Sequence, residues 1–288
     1  MPLVATGEIV GPAVRAGLGA GAFNVIQIEH AQAIVAGAEA AGAPVILQIS
    51  ENAVRYHGAL AAIGRAAVEV AAAARVPVAV HLDHATEPTL VREAVGLGFG
   101  SVMFDASALD YEANVAATAE VTADCHAHGV WVEAELGEVG GKDGREVGGK
   151  DGVHAPGART DPAEAAAYVA ATGVDALAVA VGTSHAMVVK AAVVDLGLVA
   201  ALRAAVPVPL VLHGSSGVPE ADLTRAVEAG LTKVNIATHL NVAYTRAIRD
   251  HLAAHPEAVD PRRYVAKARD AVAREVARLL PLLRAVAL

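Results

Sequence analysis

The stretch Val76-Pro77-Val78-Ala79-Val80-His81-Leu82-Asp83-His84 decides how this chain folds. Its first half is short, apolar and rich in valine, so it reads as a buried β-strand. Its second half places polar residues just where that strand ends. Two further stretches have the same form. Residues 176–181 (ALAVAV) run into Gly182-Thr183-Ser184-His185, and residues 209–212 (PLVL) run into His213-Gly214-Ser215-Ser216-Gly217. Three histidines, each just past a different strand, can converge on one point if those strands are parallel neighbours. Three neutral imidazoles with an open fourth position are a common way of holding catalytic zinc.

Working outward, apolar runs recur at 21–26, 44–49, 76–82, 101–105, 130–136, 176–181, 208–212 and 233–237. Between them lie helix-like, alanine-rich stretches near 29–42, 58–75, 88–97, 110–128, 162–172, 191–205, 219–229 and 239–254. Near-continuous apolar strands alternating with helices imply a parallel sheet covered on both faces. Eight such units predict an α/β chain folded as one (β/α)8 TIM barrel over residues 1–288, with residues 261–288 as a C-terminal helical extension. That extension is amphipathic and is expected to pack on the barrel or on a second subunit. Asp161-Pro162 marks one helix start, an N-cap residue followed by proline at the first helical position.

The bulk composition narrows the function classes. The chain has 288 residues, 55% of them hydrophobic and only 3% aromatic, so its core must be built from small aliphatic side chains. The net charge of −9 argues against nucleic acid or anionic membrane as a main partner. No apolar run approaches the ~20 residues of a membrane span, and the start lacks the basic and apolar regions of a signal peptide. A single cysteine, Cys125, excludes an internal disulfide and a cysteine-based zinc finger. A cytoplasmic enzyme acting on a small molecule is the expectation.

One stretch breaks the strand–helix rhythm. Residues 137–157 are glycine-rich and charged, and Glu-Val-Gly-Gly-Lys-Asp-Gly at 138–144 recurs at 146–152, the mark of an eight-residue duplication. A mobile loop after the fifth strand would lie at the C-terminal mouth of a barrel, and loops of this length are commonly functional lids or disordered.

Barrel active sites form at that mouth. The polar residues predicted to gather there are Asn24, Gln48, Ser50, Asp83, His84, Asp105, Glu133, Glu135, His185, His213, Ser216, Asn235 and Thr238. Asp83 and His84 are neighbours, and along an extended strand they would point to opposite faces. Both can serve one site only where the strand bends. Asp83 is then free for proton transfer or, alternatively, orients a histidine. His81 is expected to face the interior as support. His213-Gly214-Ser215-Ser216-Gly217 reads as a phosphate cradle of backbone N–H and hydroxyl donors.

Taken together, Ala22-Phe23-Asn24-Val25, residues 44–50, His81-Leu82-Asp83-His84, Val102-Met103-Phe104-Asp105, Glu133-Ala134-Glu135-Leu136-Gly137, Gly182-Thr183-Ser184-His185, Leu212-His213-Gly214 and Lys233-Val234-Asn235-Ile236 resemble the class II, zinc-dependent ketose-bisphosphate aldolases of the fructose-/tagatose-bisphosphate type. The resemblance spans almost the whole chain. It implies that His84, His185 and His213 bind catalytic Zn2+, with Asp105 and Glu135 at a second, displaced metal position. It implies Asp83 as acid/base and substrate contacts at Asn24, Ser50, Gly182, Gly214, Ser216, Asn235, Ala237 and Thr238. It also implies a K+ or Na+ ion near the phosphate and a homodimer or homotetramer. The implied reaction is reversible cleavage of fructose 1,6-bisphosphate to dihydroxyacetone phosphate and glyceraldehyde 3-phosphate. Tagatose bisphosphate, another ketose phosphate, or sugar-phosphate binding without turnover are the alternatives. The carbon acid/base of such enzymes sits in the mobile loop, where Asp143 is favoured over Glu146, Asp151 and His154. Departures occur at Ala186 and at Glu51-Asn52, where relatives commonly carry glycine.

Overall fold

A computed structural model of the chain describes residues 2–136, 159–184 and 189–285. In chain order the elements are α1 (Thr6–Ala16), β1 (Ala20–Asn24), α2 (Ile28–Ala41), β2 (Val45–Ser50), α3 (Glu51–His57), α4 (Ala61–Ala72), β3 (Val78–Ala85), α5 (Pro88–Gly96), β4 (Ser101–Phe104) and α6 (Tyr111–Ala127). There follow β5 (Trp131–Leu136), α7 (Pro162–Thr172), β6 (Ala176–Val179), α8 (Leu196–Ala205), β7 (Leu210–Leu212), α9 (Glu220–Ala229), β8 (Leu231–Ile236), α10 (Thr238–Ala254) and α11 (Pro261–Leu282). The eight strands are all parallel and close in sequence order, β8 pairing with β1 through Ala22 opposite Asn235.

All eight expected strands are present, displaced at their ends by a few residues. The expected 58–75 helix is α4, preceded by a separate short α3 that Ser50 caps by accepting a hydrogen bond from the Ala53 amide at 3.3 Å. Helix α1 was not expected, because Gly7, Gly11 and Pro12 are poor helix formers. Tertiary packing makes it: Ile9 and Val10 join Ala20, Ala22, Ile46 and Ala79 in a small apolar cluster that fills the lower barrel. Asp161 caps α7 as expected, accepting from the amides of Ala163 and Glu164, both at 2.9 Å.

The alternation along each strand separates two environments. Outward residues such as Phe23, Leu47, Ile49, Val80, Leu82 and Val132 belong to one large apolar core shared with the helices. Inward residues begin as small apolar chains at the bottom and become polar toward the mouth: Gln48, His81, Asp83, Glu133, Glu135, Lys233 and Asn235, all buried. The C-terminal α11 packs on the barrel's own α2 and α10. It lies so close at Gly37 that a Cβ there would sit 2.5 Å from the Ala273 carbonyl oxygen.

Candidate active site

The site starts from a bend in β3. That strand does not stop at residue 82 but continues to Ala85, and its register against β4 shifts between Leu82 and Ala85. His84 takes φ 52°, a left-handed backbone that a side chain rarely adopts. The irregularity turns Asp83 and His84 into the same cavity, which an ordinary extended strand forbids. The buried Glu51 carboxylate holds the turn, accepting from the Thr86 amide at 2.6 Å and from the Thr86 hydroxyl at 3.0 and 3.1 Å.

The Asp83 carboxylate is nearly buried and held by two amides. The Asn235 side chain donates to one oxygen at 3.3 Å, and Gln48 Nε2 approaches the other at 3.5 Å. Gln48 Nε2 also donates to Asn24 Oδ1 at 2.5 Å. Asn24, Gln48, Asp83 and Asn235 therefore form one connected strip across four neighbouring strands, β8, β1, β2 and β3.

Beside that strip lies a buried histidine–carboxylate group. His84 and His213 meet edge to face with ring centres 4.7 Å apart. Asp105 stands 2.8 Å from His84 Nδ1 and is itself fixed by Ser107, whose amide and hydroxyl donate at 3.2 and 2.6 Å. Glu133 lies 3.0 Å from His213 Nε2, and Glu135 lies 3.4 Å from His213 Nδ1. Burial is the largest influence on His84 and opposes its charge. The carboxylates of Asp83, Asp105 and Glu135 outweigh it, and the imidazole is raised to about 9. His81, fully buried, is held well below its usual value by burial and by Lys233. It supports the interior as expected, its Nδ1 2.7 Å from Ser101 Oγ.

This donor set fits a divalent cation. Asp83, His84 and His213 offer ligand atoms within 4.8 Å of one another, and so do His84, Asp105 and Glu135. A tetrahedral zinc with bonds of ~2.0–2.1 Å wants donors roughly 3.3 Å apart, a separation within that spread. The Glu133 and Asp105 contacts fix each ring, so that His213 Nδ1 and His84 Nε2 are the nitrogens a metal would take. The expected third ligand, His185, and the loop candidates Asp143, Glu146, Asp151 and His154 lie outside the described residues, as does Ala186.

Above the group opens a cavity of about 480 Å³. Asn24, Ser50, Asp83, His84, Asp105, Gly214, Ser216, Asn235, Ala237 and Thr238, all predicted from sequence, line it. Gly214 has φ 67°, and a Cβ there would stand 2.5 Å from the Ser184 carbonyl oxygen, so only glycine fits. Ser215 donates to the Asn235 carbonyl at 2.5 Å and Ser216 Oγ accepts from the His239 amide at 3.1 Å, binding this loop to the start of α10. The positive end of a 17-residue helix and the neighbouring amides suit an anion.

Three placements differ from expectation. Gly182 is not among the described cavity-lining residues; a Cβ there would meet the Val193 carbonyl oxygen at 2.3 Å, so its glycine is required by a crossing loop. Glu135 is not among the described cavity-lining residues but is buried against His213, while still grouping with His84 and Asp105 as the expected second metal position requires. Lys233, expected early on its strand and away from the mouth, is its third residue and points inward, fully buried. Its Nζ stands 2.8 Å from Glu133 and donates to Asn235 Oδ1 at 2.8 Å. Both contacts engage this amine below the mouth, and Lys233 is not among the described cavity-lining residues. Sequence reasoning missed Arg55, Thr86 and Ser107. The Asp-x-Ser spacing at 105–107 was the available signal for Ser107.

The chain matches the family described as fructose-bisphosphate aldolase class-II over residues 4–286. It belongs to that family. It is an aldolase, a carbon–carbon lyase, and the family's reaction is the cleavage of fructose bisphosphate. A probable fructose-bisphosphate aldolase of Bacillus subtilis is 39% identical over 275 residues, 94% of each chain. The fructose-bisphosphate aldolase of Thermus caldophilus is 39% identical over 92% of each chain. Among solved structures, the YdjI aldolase of Escherichia coli superposes with a TM-score of 0.85 at 30% identity over 98% of each chain. No helix among the described residues is long and apolar enough to cross a membrane.

Proposed function

We infer that this aldolase uses zinc held by His84, His213 and His185 to cleave fructose 1,6-bisphosphate reversibly into dihydroxyacetone phosphate and glyceraldehyde 3-phosphate. The observation that carries this reading is the bend at His84. It sets a carboxylate, Asp83, beside two histidines whose other nitrogens are fixed by Asp105 and Glu133. When bound, zinc supplies Lewis acidity toward the substrate carbonyl and its adjacent hydroxyl.

The chain's own residues supply positioning and proton transfer. Asp83 accepts the proton of the hydroxyl on the fourth carbon as the bond between the third and fourth carbons breaks; Asn235 and Gln48 hold its oxygens. The electron pair stays on the third carbon as an enediolate, and a loop carboxylic acid, Asp143, gives its proton to that carbon and is left as the carboxylate. Gly214, Ser216, Ala237 and Thr238 hold the phosphate of the dihydroxyacetone half through backbone donors and the start of α10. Condensation reverses each transfer. Asp105 and Glu135, together with His84, would hold the metal in a second position.

The test is aldol cleavage of fructose 1,6-bisphosphate and metal content, each measured before and after chelation, with zinc added back. Zinc near one atom per chain, with activity lost and restored alongside it, is expected. Full activity in demonstrably metal-free protein would overturn the reading. Faster cleavage of tagatose 1,6-bisphosphate would reassign the substrate within the same chemistry.

A further inference from the structure

The two walls of the cavity carry different chemistry. The wall from β7 and β8 (Gly214, Ser215, Ser216, Ala237 and Thr238) is neutral and backbone-built. The wall from the loops after β2, β3 and β4 carries side chains, including Ser50, Asn52, Arg55 and Ser107. Asp83, Asp105 and Glu51 also line the cavity, and Arg55 is the single lysine or arginine among its described lining residues. An anionic group entering such a space is repelled by the acids unless a cation meets it.

We propose that Arg55 is a specificity-determining residue that binds the second, distal phosphate of the sugar bisphosphate, and that Glu51 aims it. This rests on the aldolase reading above. An exposed Glu–Arg pair one helical turn apart would ordinarily be a surface contact of little consequence. Two observations set this one apart. Glu51 is not a surface acid: its side chain is 10% exposed and is anchored by the Thr86 amide and hydroxyl. Arg55 contacts it through one nitrogen, Nη2, at 2.5 Å, while 63% of the arginine side chain stays exposed at the cavity. A guanidinium tethered on one side keeps other N–H donors of its planar fork for a phosphate. The tether also lowers the ordering cost of meeting it. Since Thr86 follows His84 by two residues, the same carboxylate sets the distal cation and the catalytic turn in one frame.

The experiment compares wild type, Arg55→Lys and Arg55→Ala as zinc-loaded whole chains. Affinities for glucitol 1,6-bisphosphate and glucitol 1-phosphate are measured by calorimetry. Both ligands lack the carbonyl, so the contact is read independently of turnover. Wild type is expected to prefer the bisphosphate. Arg55→Ala should lose about 10- to 100-fold for the bisphosphate and far less for the monophosphate. Arg55→Lys should fall between, having charge without the fork. Parallel kinetics on fructose 1,6-bisphosphate should show the loss mainly in KM. A bisphosphate preference unchanged in Arg55→Ala, or an equal loss on both ligands, overturns the proposal. Absence of fructose 1,6-bisphosphate cleavage by wild type with the preference intact would instead overturn the substrate reading above and leave the distal contact standing.

Discussion

Leu47 and Gln48 are adjacent on β2, yet they belong to different materials. Leu47 faces the helices within a continuous aliphatic core; Gln48 faces the barrel axis and an aspartate. The same division holds on β1, β3, β5 and β8, while the inner sides of β4, β6 and β7 carry a small apolar cluster of Met103, Ala176, Ala178 and Val211. The outer face carries the apolar burial that drives folding, and the inner face near the mouth carries histidines, carboxylates, a lysine and amides. The inner face is equally buried, but it is held by polar contacts: an ion pair of Lys233 with Glu133, and close contacts of Glu133 with His213 and of Asp105 with His84. Toward the mouth of those strands, stability and chemistry thus sit on opposite faces, one residue apart.

The largest expected effect comes from breaking the inner matching. Lys233→Met would leave Glu133 buried beside His213 without its cation, at a cost of about 3–5 kcal/mol in unfolding free energy. The double change Lys233→Met with Glu133→Gln should recover a good part of that loss in the same urea titration. If the single variant unfolds with wild type, the inner face is not held by charge. Asp83→Asn sharpens the division from the other side. It keeps shape and should leave stability within about 1 kcal/mol, while kcat falls by about 10²–10⁴ because the proton acceptor is gone. Equal losses in stability and kcat would mean that Asp83 is a structural residue.

Leu47→Ala addresses the outer face. Truncating this fully buried side chain should cost about 2–5 kcal/mol through lost burial and a cavity. KM and kcat of the folded fraction should stay within about twofold of wild type, although Gln48 is next in sequence. A selective fall in kcat would show that the two faces are not independent.

How far the sequence carries follows from the same division. The outer face is written in hydrophobic periodicity, and the strand count, closure and α11 were legible because apolar runs and their spacing are local signals. The mouth was legible as a set, since polar residues following apolar runs stand out. The Asp83–His84 problem was even visible as a conflict that only a bend could resolve. What was not legible depended on contacts distant in sequence. Helix α1 exists because it fills the barrel floor, against its own glycines and proline. Lys233 looked remote because its strand begins two residues earlier than the apolar run suggests. Glu51 looked like a departure from a glycine pattern, and only its hydrogen bonds to Thr86, 35 residues on, show it bracing the catalytic turn.

The smallest effect concerns a titrating group set in the outer layer. His30 on α2 is buried and stacks on Tyr244 of α10 with ring centres 4.5 Å apart and planes 17° apart. Its Nδ1 accepts from the Gln27 amide at 3.3 Å, and Tyr244 in turn donates to Gln27 Oε1 at 2.9 Å. Burial, partly offset by Glu29, lowers the imidazole from 6.5 to about 4. The folded protein therefore keeps His30 neutral at pH values where the unfolded chain binds a proton. The stabilisation is fully present above pH 6.5, is lost as pH falls toward 4, and changes no further below that. A shift of this size corresponds to at most about 3 kcal/mol. His30→Phe keeps a ring against Tyr244 but removes the proton site, and it also loses the Gln27 hydrogen bond at every pH. Its unfolding free energy should therefore start lower than wild type at pH 7.5. Between pH 6.5 and 4 the gap should close by about 1–3 kcal/mol, because only wild type pays for protonation there. Parallel stability curves across that interval would show that His30 charges as freely in the fold as in the unfolded chain. The α2–α10 contact would then be an open surface rather than part of the core.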